Sequence, residues 1–289
     1  MSDQVWAVSL VRNEADIIAY TLAHFISQGV DGIIIQDNNS DDTTAELCLQ
    51  CAKKANIPIF LRPDPPNSGF FQADKINELS KLAIKQGATH IIPFDADELW
   101  YSPLGRVADL MKGPDFGCQS VPQYFHYSTT YDNPAEDNPY KRMLYRTIDP
   151  RPWPKVCLRW FPGVSIGGGN HFLCTPSGKV TPPGPKMEIA IRHFPCRSFE
   201  QMVDKIIRHG IAMDIQYPTD PEWGMNGPHQ RHLYRRYQKE GFKALFRTWL
   251  EGDGKTEGTG HILIKDPAGY DLINDPAPYA GEEQKLCPT

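Results

Sequence analysis

Two hydrophobic periods alternate along the first hundred residues. Residues 5–11 form a short apolar run of strand length, and residues 16–28 then place Ile17, Tyr20, Leu22, His24 and Phe25 at roughly helical spacing before Gly29 stops the pattern. The strand pattern returns at Gly32-Ile-Ile-Ile-Gln-Asp37 and ends on a carboxylate. Asn38 to Asp42 are turn formers, and the last of them are placed to accept bonds from the free N–H groups of a helix over 43–54. The same alternation predicts a strand at 57–61, a helix at 76–86 and a strand at 90–95 that again ends in acid. The expected fold class is therefore α/β, with a mostly parallel central sheet flanked by helices. Ligands of such sheets bind beyond the carboxyl ends of the strands, where Asp37 and Asp95 both lie.

From about residue 103 prolines cluster and the pattern loosens, with short strands expected near 118–123 and 187–193. A helix over 198–212 puts Phe199, Met202, Val203, Ile206 and Ile207 on one face, with Ser198 as its cap and Gln201 three residues on. A second helix is expected over 229–250, followed by a glycine-rich loop and an extended proline-rich tail. The expected organisation is an α/β domain over 1–200 and a helical, loop-rich extension over 201–289.

Composition narrows this picture. A chain of 289 residues that is 40% hydrophobic and 22% charged matches an ordinary globular protein and excludes collagen-like, disordered and coiled-coil classes. Its net charge of −5 gives no global cationic field for non-specific binding to nucleic acid or anionic membranes. The first residues lack the pattern of a signal peptide, and no stretch approaches the roughly 18–20 apolar residues that span a bilayer, so a cytoplasmic setting is expected. The seven scattered cysteines do not suggest a disulfide framework. Cys48 and Cys51 share a predicted helix with no second pair nearby, which favours core packing over zinc.

The chemistry concentrates in Phe94-Asp-Ala-Asp-Glu98. Burying three acids at a strand end costs several kcal/mol unless something positive compensates, and a divalent cation is the usual solution. The competing reading is a solvated acidic turn that caps the next helix. An aspartyl phosphatase would need Thr or Val where Leu99 stands, and Gly254-Lys-Thr256 lacks the glycine of a phosphate loop because Trp249 is there. Arg159-Trp160 lacks the Gln of a processive-synthase box, since Val156 replaces it.

Val11-Arg-Asn-Glu14, Gln36-Asp-Asn-Asn-Ser-Asp-Asp-Thr43 and Phe94-Asp-Ala-Asp-Glu98, in that order, resemble the GT-A-fold glycosyltransferases, in particular their family-2-like group. Glu188-Ile-Ala-Ile-Arg-His193-Phe-Pro-x-Arg197-Ser and the helix through Lys205 extend the resemblance to about residue 212. The resemblance implies metal-dependent, inverting transfer of a sugar from a nucleoside-diphosphate sugar, UDP by family habit, to an acceptor hydroxyl. It implies that Arg12, Asn13, Glu14 and Asp37 border the nucleotide, with Asp37 accepting from the base imide. Asn39 would lie near the ribose, Lys75 near the diphosphate, and Arg197 would fork onto phosphate. Mn²⁺ or Mg²⁺ is expected on Asp95 and Asp97, with His193 or His171 as a further ligand. Glu98 is expected as the base, with Asp132, Asp137 and Glu188 as alternatives.

The acceptor is expected to be a glycan, a lipid-linked group or another hydroxyl. Arg231, Arg235, Arg236, Lys239, Lys243 and Arg247 lie on the helix expected at 229–250 with Tyr234, Tyr237 and Phe242, a stretch able to hold a phosphorylated glycan, a lipid phosphate or nucleic acid. A solvated amphipathic helix with Leu233, Tyr237 and Leu245 inward is the competing reading. Two further hypotheses follow: transfer to hydroxymethylated DNA bases, and a catalytically silent nucleotide-binding module. Retention of Asp37, Asp95 and Asp97 argues against the second.

Overall fold

The computed structural model describes residues 2–66, 68–113, 116–129, 131–184, 188–221, 228–242, 262–266 and 284–285. The expected alternation is present: β1 (Val5–Val11), α1 (Ile18–Ser27), β2 (Gly32–Asp37), α2 (Thr44–Lys54), β3 (Ile59–Pro63), α3 (Gln72–Lys85) and β4 (His90–Pro93). The chain continues through β5 (Glu98–Tyr101), α4 (Val107–Met111), β6 (Cys118–Val121), β7 (Gln123–Tyr127), α5 (Pro139–Arg142), β8 (Tyr145–Thr147) and β9 (Lys155–Arg159). Then come β10 (Ser165–Ile166), β11 (Leu173–Thr175), β12 (Gly178–Val180), β13 (Ala190–His193), α6 (Phe199–Gln216), α7 (Pro228–Glu240), β14 (Ile262–Lys265) and β15 (Gln284–Lys285).

Among the described residues the central sheet has the order β3-β2-β1-β4-β9-β6, parallel from β3 to β4 and antiparallel at β9 and β6. The period of two along β1 sends Val5, Ala7 and Val11 to one face and Trp6 and Val8 to the other. The first set packs with Ile33, Ile35, Leu22, Phe25 and Cys48 beneath α1 and α2; the second packs with Ile34, Ile76, Leu79 and Ala83 beneath α3. Burial on both faces explains why these strands read as continuous apolar runs. Cys48 lies in this core and Cys51 packs against it, as the packing reading expected. Gly29, with φ of +80°, ends α1 in the left-handed region that a side chain would disfavour.

A second sheet, β15-β14-β8-β7-β13-β5 among the described residues, carries the other wall of the site. β13 runs antiparallel to β5 and sets His193 opposite Glu98. β14 pairs with β8, so residues expected only in a C-terminal extension contribute to this sheet. β10, β11 and β12 form a small sheet tied to α3, where Asn77 exchanges two 2.8 Å bonds with the Ile166 backbone.

Ser198 caps α6 as expected, its hydroxyl accepting from the Gln201 N–H at 3.1 Å, and the helix runs beyond 212 to Gln216. α7 packs on α6 through Met202, Val203, Ile206, Met213, Leu233 and Tyr234, with Tyr237 against them, and Arg235 pairs with Asp214 at 2.7 Å. This matches the amphipathic reading over 228–240. Lys243, Leu245, Arg247 and the Gly254-Lys-Thr256 turn lie outside the described residues. No helix among the described residues is long and apolar enough to cross a membrane.

Candidate active site

Two loops at the carboxyl edge of the parallel strands are knitted together. Asn13 and Asn39 have φ of 51° and 61°, left-handed positions that asparagine tolerates better than most residues. The Asn13 N–H donates to Ser40 Oγ at 2.9 Å, its side-chain amide donates to Asp41 Oδ1 at 2.8 Å, and the Asp41 N–H returns a bond to Asn13 Oδ1 at 3.0 Å. Asp37 is buried at the end of β2 and accepts from Ser40 Oγ at 2.5 Å. Asn39 donates to the Pro65 carbonyl at 3.0 Å. The register, with Val11 opposite Asp37, places Arg12, Asn13, Asp37 and Asn39 on one edge. Lys75 sits nearby in the first turn of α3, which starts a turn earlier than expected. Its ammonium is buried against Asp64, Asn38 Oδ1 at 3.0 Å and the Gly69 carbonyl at 2.6 Å.

β4 ends at Pro93, two residues short of the expected Asp95, so Asp95 and Asp97 occupy the turn into β5 and Glu98 is the first residue of that strand. Asp97 is buried, with Lys205 Nζ donating at 2.7 Å, His193 Nε2 at 3.1 Å from Oδ1 and Arg197 Nη1 at 3.6 Å. Burial alone would raise this carboxyl, but the charges of Lys205, His193 and Arg197 outweigh it and hold it well below the ordinary carboxylate range. Arg197 is buried too, bonding Glu14 Oε2 at 2.5 Å and Asp16 at 2.6 and 2.8 Å.

Asp95 and Glu98 form a second group. Lys155 Nζ lies 2.5 Å from Asp95 Oδ2 and 3.1 Å from Glu98 Oε1. Glu98 is fully buried, and its Oε2 accepts from the Trp100 indole at 3.0 Å and the Asp95 N–H at 3.2 Å. Burial pushes its carboxyl up. Burial would push the Lys155 ammonium down, yet Asp95 and Glu98 more than offset it and hold the group above the ordinary lysine value. His193 Nδ1 faces Gln123 Oε1 at 2.8 Å, and the Gln123 amide nitrogen donates to the Trp153 carbonyl. One ligand atom from each of Asp95, Glu98 and His193 lies within 4.8 Å of the others. Two carboxylates and an imidazole so convergent are a donor set that suits Mn²⁺ or Mg²⁺.

The sequence pattern of glycosyl transferase family 2 matches residues 7–161, more than half of the chain and the span that contains β1 to β9. The chain belongs to glycosyl transferase family 2. No curated protein matches it. The solved structures similar to this family 2 glycosyltransferase include a crystal structure of S. aureus TarS 1-349, with 9% identity, a TM-score of 0.38, and coverage of 96% of this chain and 100% of that one. The same fragment in complex with UDP has 10% identity, a TM-score of 0.37, and coverage of 91% and 96%. A crystal structure of S. aureus TarS has 10% identity, a TM-score of 0.36, and coverage of 98% of this chain and 60% of that one.

Within this family 2 glycosyltransferase the expected site residues have the following surroundings. Glu98, expected as the base, is enclosed, with its oxygens directed at Trp100, Asp95 and Lys155, and it is one of the three convergent groups. Asp97, expected on the metal, faces Lys205 and Arg197 and is not in that group. Arg197, expected to fork onto phosphate, spends its guanidinium on Glu14, Asp16 and the Phe194 carbonyl, so it braces the turn. Glu14, expected to border the nucleotide, is buried and joins the same brace through Arg197. His193 joins the convergent group and His171 does not: His171 Nδ1 faces the Pro154 carbonyl at 2.9 Å, and burial lowers its imidazole to about 4. Asp132, one of the alternatives for the base, is half-buried with its carboxyl pushed up by burial, while Asp137 and Glu188 are exposed.

Residues that the sequence reading left unassigned complete the site: Lys155, Lys205, Asp16 and Gln123. Lys155 carries a local signal, a lysine opening the strand Lys-Val-Cys-Leu-Arg whose next three side chains are buried. Lys205 lies between Val203 and Ile206 on the apolar-periodic helix, where nothing local marks it as a partner of Asp97.

Proposed function

We propose that this glycosyltransferase takes its sugar from a UDP-sugar and transfers it, with inversion at the anomeric carbon, to a hydroxyl of a glycan or lipid-linked acceptor. The observation that carries this reading is the placement of Asp37 at the end of β2 and Asp95 just beyond the end of β4, on either side of β1, at the edge where parallel sheets bind nucleotides. Asp37 is the acceptor for the base imide, and Asn39 and the Asn13 loop flank it. Asp95, Glu98 and His193 are the proposed ligands of Mn²⁺ or Mg²⁺. When bound, such an ion stabilises charge on a departing diphosphate. The chain's own contribution is rigidity: Arg197 and Lys205 fix Asp97, which holds the turn between β4 and β5 and keeps the His193 ring against Gln123.

Calorimetric titration with UDP, GDP and TDP, each with Mn²⁺ and again with excess chelator, tests the donor and the ion. Metal-dependent binding of UDP, lost in Asp37→Ala, is the expected result. Absence of binding to folded protein overturns the reading, and preference for GDP or TDP corrects the donor. The anomeric coupling in the product's proton spectrum reports inversion or retention.

A further inference from the structure

The acidic turn already holds a cation of its own. Lys155 is buried, with a side chain only 3% exposed, and its ammonium bridges Asp95 and Glu98. The position is built into the fold. β9 lies between β4 and β6, pairing Ile91 with Leu158 and Val121 with Lys155, so the antiparallel count brings Lys155 beside Phe94, next to Asp95. Val156, Cys157 and Leu158 anchor the rest of the strand in the core. The third metal-suited donor is also partnered, because His193 Nε2 faces Asp97.

Resting on the ion site proposed above, we infer that Lys155 is the resident cation of the free enzyme and competes with the divalent ion for Asp95 and Glu98. An ammonium and a divalent ion cannot both sit against the same two carboxylates without strong like-charge repulsion. The ion therefore binds weakly while Lys155 holds its place. A nucleoside diphosphate offers that ammonium another anion, so nucleotide and ion binding reinforce each other, each raising the other's affinity by the same factor.

Manganese alone, with no nucleotide, is the probe, followed by calorimetry and by the electron paramagnetic resonance signal of free Mn²⁺. Lys155→Met is expected to bind Mn²⁺ at least about tenfold more tightly than the wild type, and adding Asp95→Asn is expected to abolish the gain. Equal, Asp95-dependent binding by wild type and Lys155→Met overturns the role of Lys155 while leaving the ion site intact. No binding by folded Lys155→Met removes the ion site itself, and the competition with it. Should Lys155→Met fail to fold, wild-type protein labelled with ¹⁵N-lysine is titrated with Mg²⁺. The Lys155 ammonium resonance is expected to shift as the ion saturates its site, and an unmoved resonance at saturation overturns the inference.

Discussion

Two buried charge networks are built from similar parts and arranged for opposite ends. On the second sheet, Asp266 is buried against Arg146 at 2.5 Å and Arg192 at 2.8 Å, while the two guanidinium groups stack on Tyr124 at 4.1 Å and Tyr101 at 4.0 Å. One carboxylate, two arginines and two aromatic faces leave both guanidinium planes engaged. At the active site the balance is reversed: the acids Glu14, Asp16, Asp95, Asp97 and Glu98 outnumber the cations Lys155, Arg197 and Lys205. Two of those cations are lysines, point charges on flexible stems, where the network around Asp266, among the described residues, uses the planar arginine fork. Arginines stacked on aromatic rings make a clamp. A surplus of carboxylate neutralised by lysines makes a site that can exchange one cation for another.

The contrast is sharpest where a single charge is removed. Asp97→Asn should lower turnover by at least about 100-fold, because Lys205, Arg197 and His193 lose the anion that orders them, while circular dichroism stays that of the wild type. Full turnover in that variant would take Asp97 out of the chemistry. Asp266→Asn should act on stability instead: two buried guanidinium groups lose the carboxylate that they share, at a cost of about 3–5 kcal/mol and a fall in melting temperature of roughly 10 °C, with nucleotide affinity of the folded protein unchanged. A nucleotide affinity that fell with it would mean that the two networks are coupled.

Acid should distinguish them as well. Burial would raise the Asp266 carboxyl, but the bonds and charges of Arg192 and Arg146, with His126 nearby, bring it down to about 2. A group with a lower value folded than unfolded stabilises fully above its unfolded value near 4. That stabilisation, about 2 kcal/mol, should drain away as pH falls from about 4 toward 2. Thermal melts of wild type and Asp266→Asn across that range should therefore converge. The smallest effect belongs to neither network. A Cβ added at Gly210 would come within 2.2 Å of the Tyr234 ring, so Gly210→Ala should cost about 1–3 kcal/mol in the α6–α7 packing and spare Mn²⁺ and nucleotide binding.

The same two regions divide what the sequence made legible. Around β1, β2 and α2 the information is local: a two-residue period sorts Val5 and Trp6 to opposite faces, and a run of turn formers after Asp37 announces the binding edge. Asp37 and Asp95 were therefore found at the sheet edge. Lys155 was missed because its meaning depends on an antiparallel strand sixty residues away from its partner Asp95, a pairing that no local period encodes. The enclosure of Glu98, expected as the base, is not legible for a related reason: the residues after Asp97 open β5 opposite β13, a pairing distant in sequence. Arg197 was read in isolation as a free fork, and only the fold supplies Glu14 and Asp16 on its guanidinium.

Asp266 is also the last of these charged residues to be synthesised. Val5 to Arg159, which furnish the strands of the central sheet, leave the ribosome well before residue 266 does. Until then Arg146 and Arg192, on the wall that carries His193, lack the carboxylate that they share in the folded enzyme. The strands of the central sheet are thus all synthesised before the carboxylate that ties Arg146 to Arg192 across the opposite wall.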